Sequence, residues 1–212
     1  MNSLLSKLSS SPIVPVYYND DIEVCKSVVR QCYEGGVRIF EFVDRGNKSN
    51  ENFKKLVDFK NQYYSDLMLG IGTIKTVEQA KTFINIGADF LVSPIIDIDI
   101  FKIAQDNSIE WIPGCMTPTE IALAEKWGIS IVKIFPGDVL GVNFVKAVKP
   151  LFPSLNFMVT GGVALSKVNL EGWFNAGVKA VGVGSKLFDG DFSTDKDVTQ
   201  NLKHSLDFIR SL

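Results

Sequence analysis

Short unbroken apolar runs recur along the chain, each followed by a stretch in which apolar residues return every three or four positions. The runs are IVPVYY at 13–18, VRIFEFV at 37–43, LMLGIGT at 67–73, FLVSPI at 90–95, EWIPGCM at 110–116, IVKIFPG at 131–137, LNFMVTGG at 155–162 and VKAVGVGS at 178–185. Runs of this length bounded by glycine or proline read as strands buried on both faces, the signature of a parallel sheet. Pro15 argues against a regular central strand, and a barrel strand with a local irregularity accommodates it. The intervening stretches predict helices. Asn19 or Asp20 caps a first one that runs to about Glu34, with Ile22, Cys25, Val28, Val29 and Cys32 as its apolar face. Phe53, Leu56, Val57 and Phe59 mark the next, and Thr76 with Gln79 has capping-box spacing ahead of Ala80, Phe83 and Ile84. Further helices are expected from about Asp97 to Gln105, from Thr117–Pro118 to Gly128, over 142–148 and from Ser166 to Gly177. An amphipathic helix from about Thr194 to Arg210 ends the chain, and residues 2–9 form a short helix or a frayed arm.

Strand and helix patterns alternate throughout, and helix-ending glycines recur at Gly36, Gly87, Gly128 and Gly177, each ahead of a strand. Eight such units imply a parallel sheet closed as a small (β/α)8 TIM barrel, a single domain over residues 1–212 preceded by a short N-terminal helix. The competing fold, an open doubly wound sheet, calls for a glycine fingerprint after the first strand, and IVPVYYND has none.

Composition narrows the function. The 212 residues are 46% hydrophobic and 22% charged, with a net charge of −2, which fits a packed globular domain and gives no basic surface for nucleic acid or membrane. The N-terminal residues lack the apolar core and cleavage site of a signal peptide, and no run is long enough to span a bilayer. Cys25, Cys32 and Cys115 are odd in number and lack metal-ligand spacing; a reduced, cytoplasmic protein is expected. The one histidine, His204, lies in the last helix. This argues against a His-rich zinc site and against Ser–His or Cys–His nucleophile pairs. The general base must then be a carboxylate, lysine, tyrosine or thiol.

Lys133 interrupts an apolar run, where an ammonium would lose its hydration. Burial favours the neutral form of an amine, and a neutral amine forms Schiff bases with carbonyl substrates. The pattern fits that role and also a lysine that snorkels to water at a strand end. By alternation Ile39, Glu41 and Val43 share a face, predicted inward. Arg45 and Thr73 follow strands two and three, Thr160 to Gly162 follow strand seven, and Gly184 and Ser185 follow strand eight. Barrel active sites lie at these strand ends. Singly, each has a plainer reading: Glu41 as a buried ion-pair member, Arg45 as a surface charge, Thr73 as a loop hydroxyl. The glycines after strands seven and eight fit a phosphate nest of backbone N–H groups and also ordinary tight turns.

The pieces GGVRIFEFVDR at 35–45, GIGT at 70–73, FLVSP at 90–94, IPGCMTPTE at 112–120, VKIFP at 132–136, TGG at 160–162 and VGVGS at 181–185 appear in order over nearly the whole chain. Together they resemble the 2-keto-3-deoxy-6-phosphogluconate aldolase family, class I aldolases also described as 4-hydroxy-2-oxoglutarate aldolases. The resemblance implies that Lys133 forms the Schiff base and Glu41 shuttles protons. Arg45 and Thr73 would bind the carboxylate of the keto-acid substrate, and Gly161, Gly162, Gly184 and Ser185 a distal phosphate. Pro94, Phe135 and Thr160 would line the pocket. It further implies a (β/α)8 barrel assembled as a homotrimer, with no metal or organic cofactor. This chain departs from the family at Val43, where threonine is common, at FPGD 135–138 in place of FPAE, at Ile95 in place of glycine, and at Lys186 in place of an apolar residue. These positions bear on the distal end of the substrate and on the choice among the phosphogluconate, its phosphogalactonate epimer and 4-hydroxy-2-oxoglutarate. Two other classes stay open: another phosphate-binding barrel enzyme with Lys133 merely electrostatic, and a non-catalytic sugar-phosphate binder.

Overall fold

The computed structural model describes residues 4–188 and 197–212. Among the described residues nine strands alternate with helices, except that β5 and β6 follow one another directly: β1 Ile13–Tyr17, β2 Ile39–Val43, β3 Met68–Gly72, β4 Phe90–Val92, β5 Glu110–Ile112, β6 Gly114–Cys115, β7 Ile131–Ile134, β8 Asn156–Thr160 and β9 Ala180–Val183. The helices are α1 Leu4–Ser10, α2 Ile22–Glu34, α3 Ser49–Tyr63, α4 Val77–Ile86, α5 Ile98–Asp106, α6 Pro118–Lys126, α7 Gly137–Val148, α8 Lys167–Asn175 and α9 Val198–Arg210. All pairings are parallel, in the order β5-β4-β3-β2-β1-β9-β8-β7-β6. The two ends of that order are halves of one interrupted strand. Pro113 separates them, and having no N–H it cannot extend a ladder. Before it, Ile112 accepts from Ser93 N–H; at it, the Pro113 carbonyl accepts from Lys133 N–H at 2.8 Å. The eight predicted runs thus close a TIM-type barrel in which the fifth run bends from partner β4 to partner β7. Gly114 makes the bend possible, because a Cβ there would lie 2.4 Å from the Pro94 carbonyl carbon.

The elements form for local reasons that the pattern anticipated, with a few differences. Asp21, rather than Asn19 or Asp20, caps α2; Asn19 accepts from the Asp21 N–H and Asp20 from the Tyr18 hydroxyl. Thr76–Gln79 and Thr117–Glu120 form complete capping boxes. Gly36, Gly87, Gly128 and Gly177 all take positive φ, as the recurring helix stops require. Pro15 sits in β1, paired with Val183 of β9, and the strand passes to β2 from Val16 onward, so no ladder bond is asked of the missing N–H. Helix α7 begins at Gly137, earlier than predicted, and breaks at Gly141 (φ 73°). Residues 194–196 of the predicted final helix lie outside the described residues, and the helix is described from Val198.

Two apolar layers result. One packs the outward faces of the strands against the helices, with Phe40, Phe42, Val132, Ile134, Phe157, Val159, Val181 and Val183 among its members. The other fills the barrel at the starts of the strands with Val14, Ile39, Phe90, Val92, Ile112, Ile131, Met158 and Ala180. Helix α1 seals this inner layer: Leu4 and Leu8 are almost wholly buried in it, and the Leu4 N–H donates to Glu110 at 2.8 Å. Each leucine contributes roughly 1.5–3 kcal/mol by leaving water. The N-terminal arm is therefore a plug rather than a frayed end.

Candidate active site

One step along the strands from this apolar floor, the inward positions change character. Glu41 follows Ile39, Lys133 follows Ile131, Thr160 follows Met158, and Gly182 follows Ala180. The change is built from side chain and space together. A Cβ at Gly72 would lie 2.0 Å from Glu41 Oε1, and one at Gly182 would lie 2.3 Å from Thr160 Oγ1. Register pairs Thr160 directly with Gly182, whereas Gly72 pairs with Val43, and the Glu41 side chain reaches along the strand to it. The glycines leave the room in which the carboxylate and hydroxyl sit.

Lys133 Nζ stands 3.5 Å from Glu41 Oε1, although the two residues are on β7 and β2. Both are sequestered, with Lys133 6% and Glu41 1% exposed. This corrects the snorkelling alternative for Lys133: its ammonium or amine points into the barrel. The amine also lies 5.1 Å from the centre of the Phe135 ring. Glu41 Oε2 and Thr160 Oγ1 are buried without a hydrogen-bond partner among the described residues. An unmet buried polar atom costs about 1–3 kcal/mol, and here two of them converge on the layer that holds the amine. The Cys115 thiol, one strand away, is not a competing nucleophile: it faces the outer core, and burial pushes it up to about 12.

The remaining predicted residues surround this layer at the strand ends. Thr73, just after β3, is half-buried and takes φ 68°. A β-branched residue in the left-handed region is a strained exception, costing of order 1–3 kcal/mol, and such exceptions cluster at functional sites. Its neighbours hold it: Gly72 C=O accepts from Asp44 N–H, and Ile74 N–H donates to Val92 C=O. Arg45, after β2, is exposed, and no hydrogen bond joins it or Thr73 to Lys133 or Glu41. Pro94 is half-buried at the end of β4 against Gly114. Gly161 and Gly162 both take positive φ and lie tight against Asp138, whose Cβ would be 2.6 Å from a Cβ on Gly162. Their conformation is thus already demanded by the fold. Gly184 differs. Its φ is not positive, and the nearest atom to an added Cβ is Val16 O at 3.8 Å, so nothing among the described residues requires glycine there. Ser185 and Lys186 are exposed beside it. Sequence reasoning missed Gly72, Gly182 and the pair Asp44–Gln79, whose amide donates to the carboxylate at 2.7 Å. The glycines appear in the quoted motifs, but only the folded barrel shows which side chains lie against them.

Comparison with known proteins identifies the family. The family profile described as KDPG and KHG aldolase matches residues 4–203. The chain is 30% identical over 169 residues to the 2-dehydro-3-deoxy-phosphogluconate aldolase of Treponema pallidum (strain Nichols), covering 79% of each chain. It is 31% identical over 139 residues to the 2-dehydro-3-deoxy-6-phosphogalactonate aldolase of Escherichia coli (strain K12), covering 65% of this chain and 67% of that one. The solved structure of the 4-hydroxy-2-oxoglutarate aldolase/2-deydro-3-deoxyphosphogluconate aldolase from TTHB1 superposes with a TM-score of 0.80 at 28% identity, covering 97% of this chain and 98% of the other. A barrel that turns a lysine and a glutamate into its interior, matched over nearly its full length by that profile, belongs to the KDPG and KHG aldolase family of class I aldolases.

Proposed function

We propose that the chain cleaves a 2-keto-3-deoxy-6-phospho sugar acid, foremost 2-dehydro-3-deoxy-6-phosphogluconate, to pyruvate and glyceraldehyde 3-phosphate through a Schiff base on Lys133. The observation that carries this reading is the Lys133–Glu41 pair at 3.5 Å inside the barrel. The unprotonated Lys133 amine adds to the C2 ketone, and loss of water leaves an iminium. Glu41, directly or through water, takes the proton of the C4 hydroxyl as the C3–C4 bond breaks; the electron pair flows into the iminium to give an enamine and the aldehyde leaves. Glu41 then returns a proton to C3, and water hydrolyses the iminium to release pyruvate and the free amine. Arg45 offers a bidentate grip on the substrate carboxylate, with Thr73 beside it. Gly161, Gly162, Gly184 and Ser185 hold the distal phosphate, Thr160 and Phe135 border the reacting carbons, and Pro94 closes the wall near β4.

The relatives divide between gluconate- and galactonate-type names, and the matching solved structure carries the hydroxy-oxoglutarate name as well. Cleavage of 4-hydroxy-2-oxoglutarate to pyruvate and glyoxylate is therefore part of the proposal, with the phosphogalactonate epimer as the alternative substrate. The acting form is taken as a cytoplasmic homotrimer of single-domain barrels. Three buried free thiols support a reducing compartment, and among the described residues no helix is long and apolar enough to cross a membrane. Pyruvate release from the three substrates, measured side by side under one set of conditions, tests the reading. The phosphogluconate derivative is expected to give the highest kcat/KM. Preference for the unphosphorylated acid would remove the phosphate assignment, and release from none would leave a sugar-phosphate binder.

A further inference from the structure

We propose that Asp44 and Gln79 form a positioning bridge that holds the loops carrying Arg45 and Thr73 at the spacing the substrate carboxylate needs. The proposal rests on the carboxylate-binding role assigned above to Arg45 and Thr73. Those two residues lie on separate loops, after β2 and after β3, and neither side chain is fixed by the Lys133–Glu41 pair. What joins the loops is a short network. Asp44 N–H donates to Gly72 C=O at 3.0 Å. The Asp44 carboxylate accepts from Ser49 Oγ at 2.5 Å through one oxygen and from Gln79 Nε2 at 2.7 Å through the other. Gln79 Oε1 in turn accepts from the N–H groups of Lys75 and Thr76, at 2.8 and 3.1 Å. Arg45 thus follows a residue tied to three partners, and Thr73 lies between Gly72 and Lys75, both of which belong to the network. The other side of Arg45 is held too: Ser49 Oγ also reaches Gly46 C=O at 3.2 Å, and Gly46 (φ 80°) passes so close to the Tyr18 hydroxyl that a Cβ would lie 2.7 Å from it.

A second capping box in the same molecule separates this role from ordinary helix capping. In α6 the corresponding residue is Glu120, and its carboxylate accepts from both Met116 N–H and Thr117 N–H at 2.8 Å. A carboxylate therefore caps as well as an amide. At α4 the box residue is Gln79, and the amide's extra N–H group is spent on Asp44. Capping explains the oxygen of Gln79, whereas only the bridge uses its nitrogen. A grip on a planar carboxylate is sensitive to small displacements, so a bridge between the two loops acts on substrate affinity while leaving the amine and its proton carrier untouched.

The test uses Q79E, D44N, the double variant D44N/Q79E and R45A, each assayed for KM and kcat with the phosphogluconate substrate and for thermal midpoint. Q79E keeps the cap, as Glu120 shows, but sets two carboxylates against each other; D44N keeps an oxygen toward Gln79 when its amide turns to donate to Ser49 Oγ, and makes that bond a neutral one. Q79E is expected to raise KM about tenfold, the weight of one hydrogen bond to a charged group, with kcat altered less than about threefold; D44N, which keeps a neutral bond, is expected to raise KM less than Q79E does. In D44N/Q79E the new amide donates to the new carboxylate while still accepting from Ser49, so KM should return to within about threefold of wild type. R45A should raise KM at least as much as Q79E. If R45A raises KM and Q79E does not, or if the double variant stays as weak as Q79E, the bridge is overturned and the carboxylate reading stands. If Q79E lowers kcat and the midpoint without a selective KM effect, the network is only structural and the proposal also fails. If R45A leaves KM unchanged, the carboxylate reading falls and the bridge falls with it.

Discussion

The inside of this barrel holds two neighbouring layers that obey opposite rules. At the strand starts, Ile39, Phe90, Ile131, Met158 and Ala180 pack around Leu4 and Leu8 as one apolar cluster. Two residues further along the same strands, Glu41, Lys133 and Thr160 share the space with glycines, and two buried oxygens have no partner among the described residues. The first layer is closed by apolar packing, whereas the second keeps buried polar groups side by side. The difference teaches how a small barrel combines rigidity with chemistry. Tight packing at one end fixes strand positions, so that Lys133 and Glu41 meet from opposite parts of the sequence at the other.

The largest effect is expected from breaking the polar layer at its centre. Lys133→Arg keeps a cation but forms no iminium, and aldol cleavage should fall to near background while the fold persists. Glu41→Gln keeps the amine but removes the proton carrier. Exchange of pyruvate methyl protons with deuterated water, followed by NMR, should slow by about 10²–10⁴-fold; exchange within a few-fold of wild type would make Glu41 structural. At the rim, Gly184→Val should raise KM for the phosphorylated substrate roughly ten- to a hundredfold, the value of one or more hydrogen bonds to a charged group, with a much smaller effect on 4-hydroxy-2-oxoglutarate. The space around Gly184 makes this variant foldable, whereas valine at Gly162 would meet Asp138 in a left-handed backbone. Equal losses on both substrates would assign Gly184 to the fold. In the apolar layer the sign of the comparison reverses. Leu8→Ala should cost about 2–5 kcal/mol of stability, read from denaturant unfolding, with kcat per folded molecule unchanged.

The polar layer was the more legible of the two in the sequence. A lysine inside IVKIF and a glutamate inside IFEF stand out because buried strands otherwise exclude charge, and period-2 alternation already set Glu41 on the face of Ile39 and Val43. The order of the βα units announced the barrel, and the four helix-end glycines marked its repeats. Less visible were features that depend on distant partners. The burial of Leu4 and Leu8 depends on an opening in the barrel that exists only once it closes. The change of partner at Pro113 was hidden within one apolar run. Gly72 and Gly182 read as ordinary strand glycines until the closed barrel brings the Glu41 and Thr160 side chains against them. Gln79 was visible as a cap but not as a donor to Asp44, because that bond crosses between two loops.

The central claim is that the Lys133 amine, facing Glu41 in the barrel, is the covalent centre. Borohydride reduction in the presence of pyruvate, followed by intact mass and peptide mapping, tests it directly. One pyruvate-dependent reduced adduct per chain is expected, located on Lys133 and absent from Lys133→Arg. An adduct mapped to Lys102, Lys146 or Lys186, or no adduct in a wild-type protein that still cleaves its substrate, would contradict it.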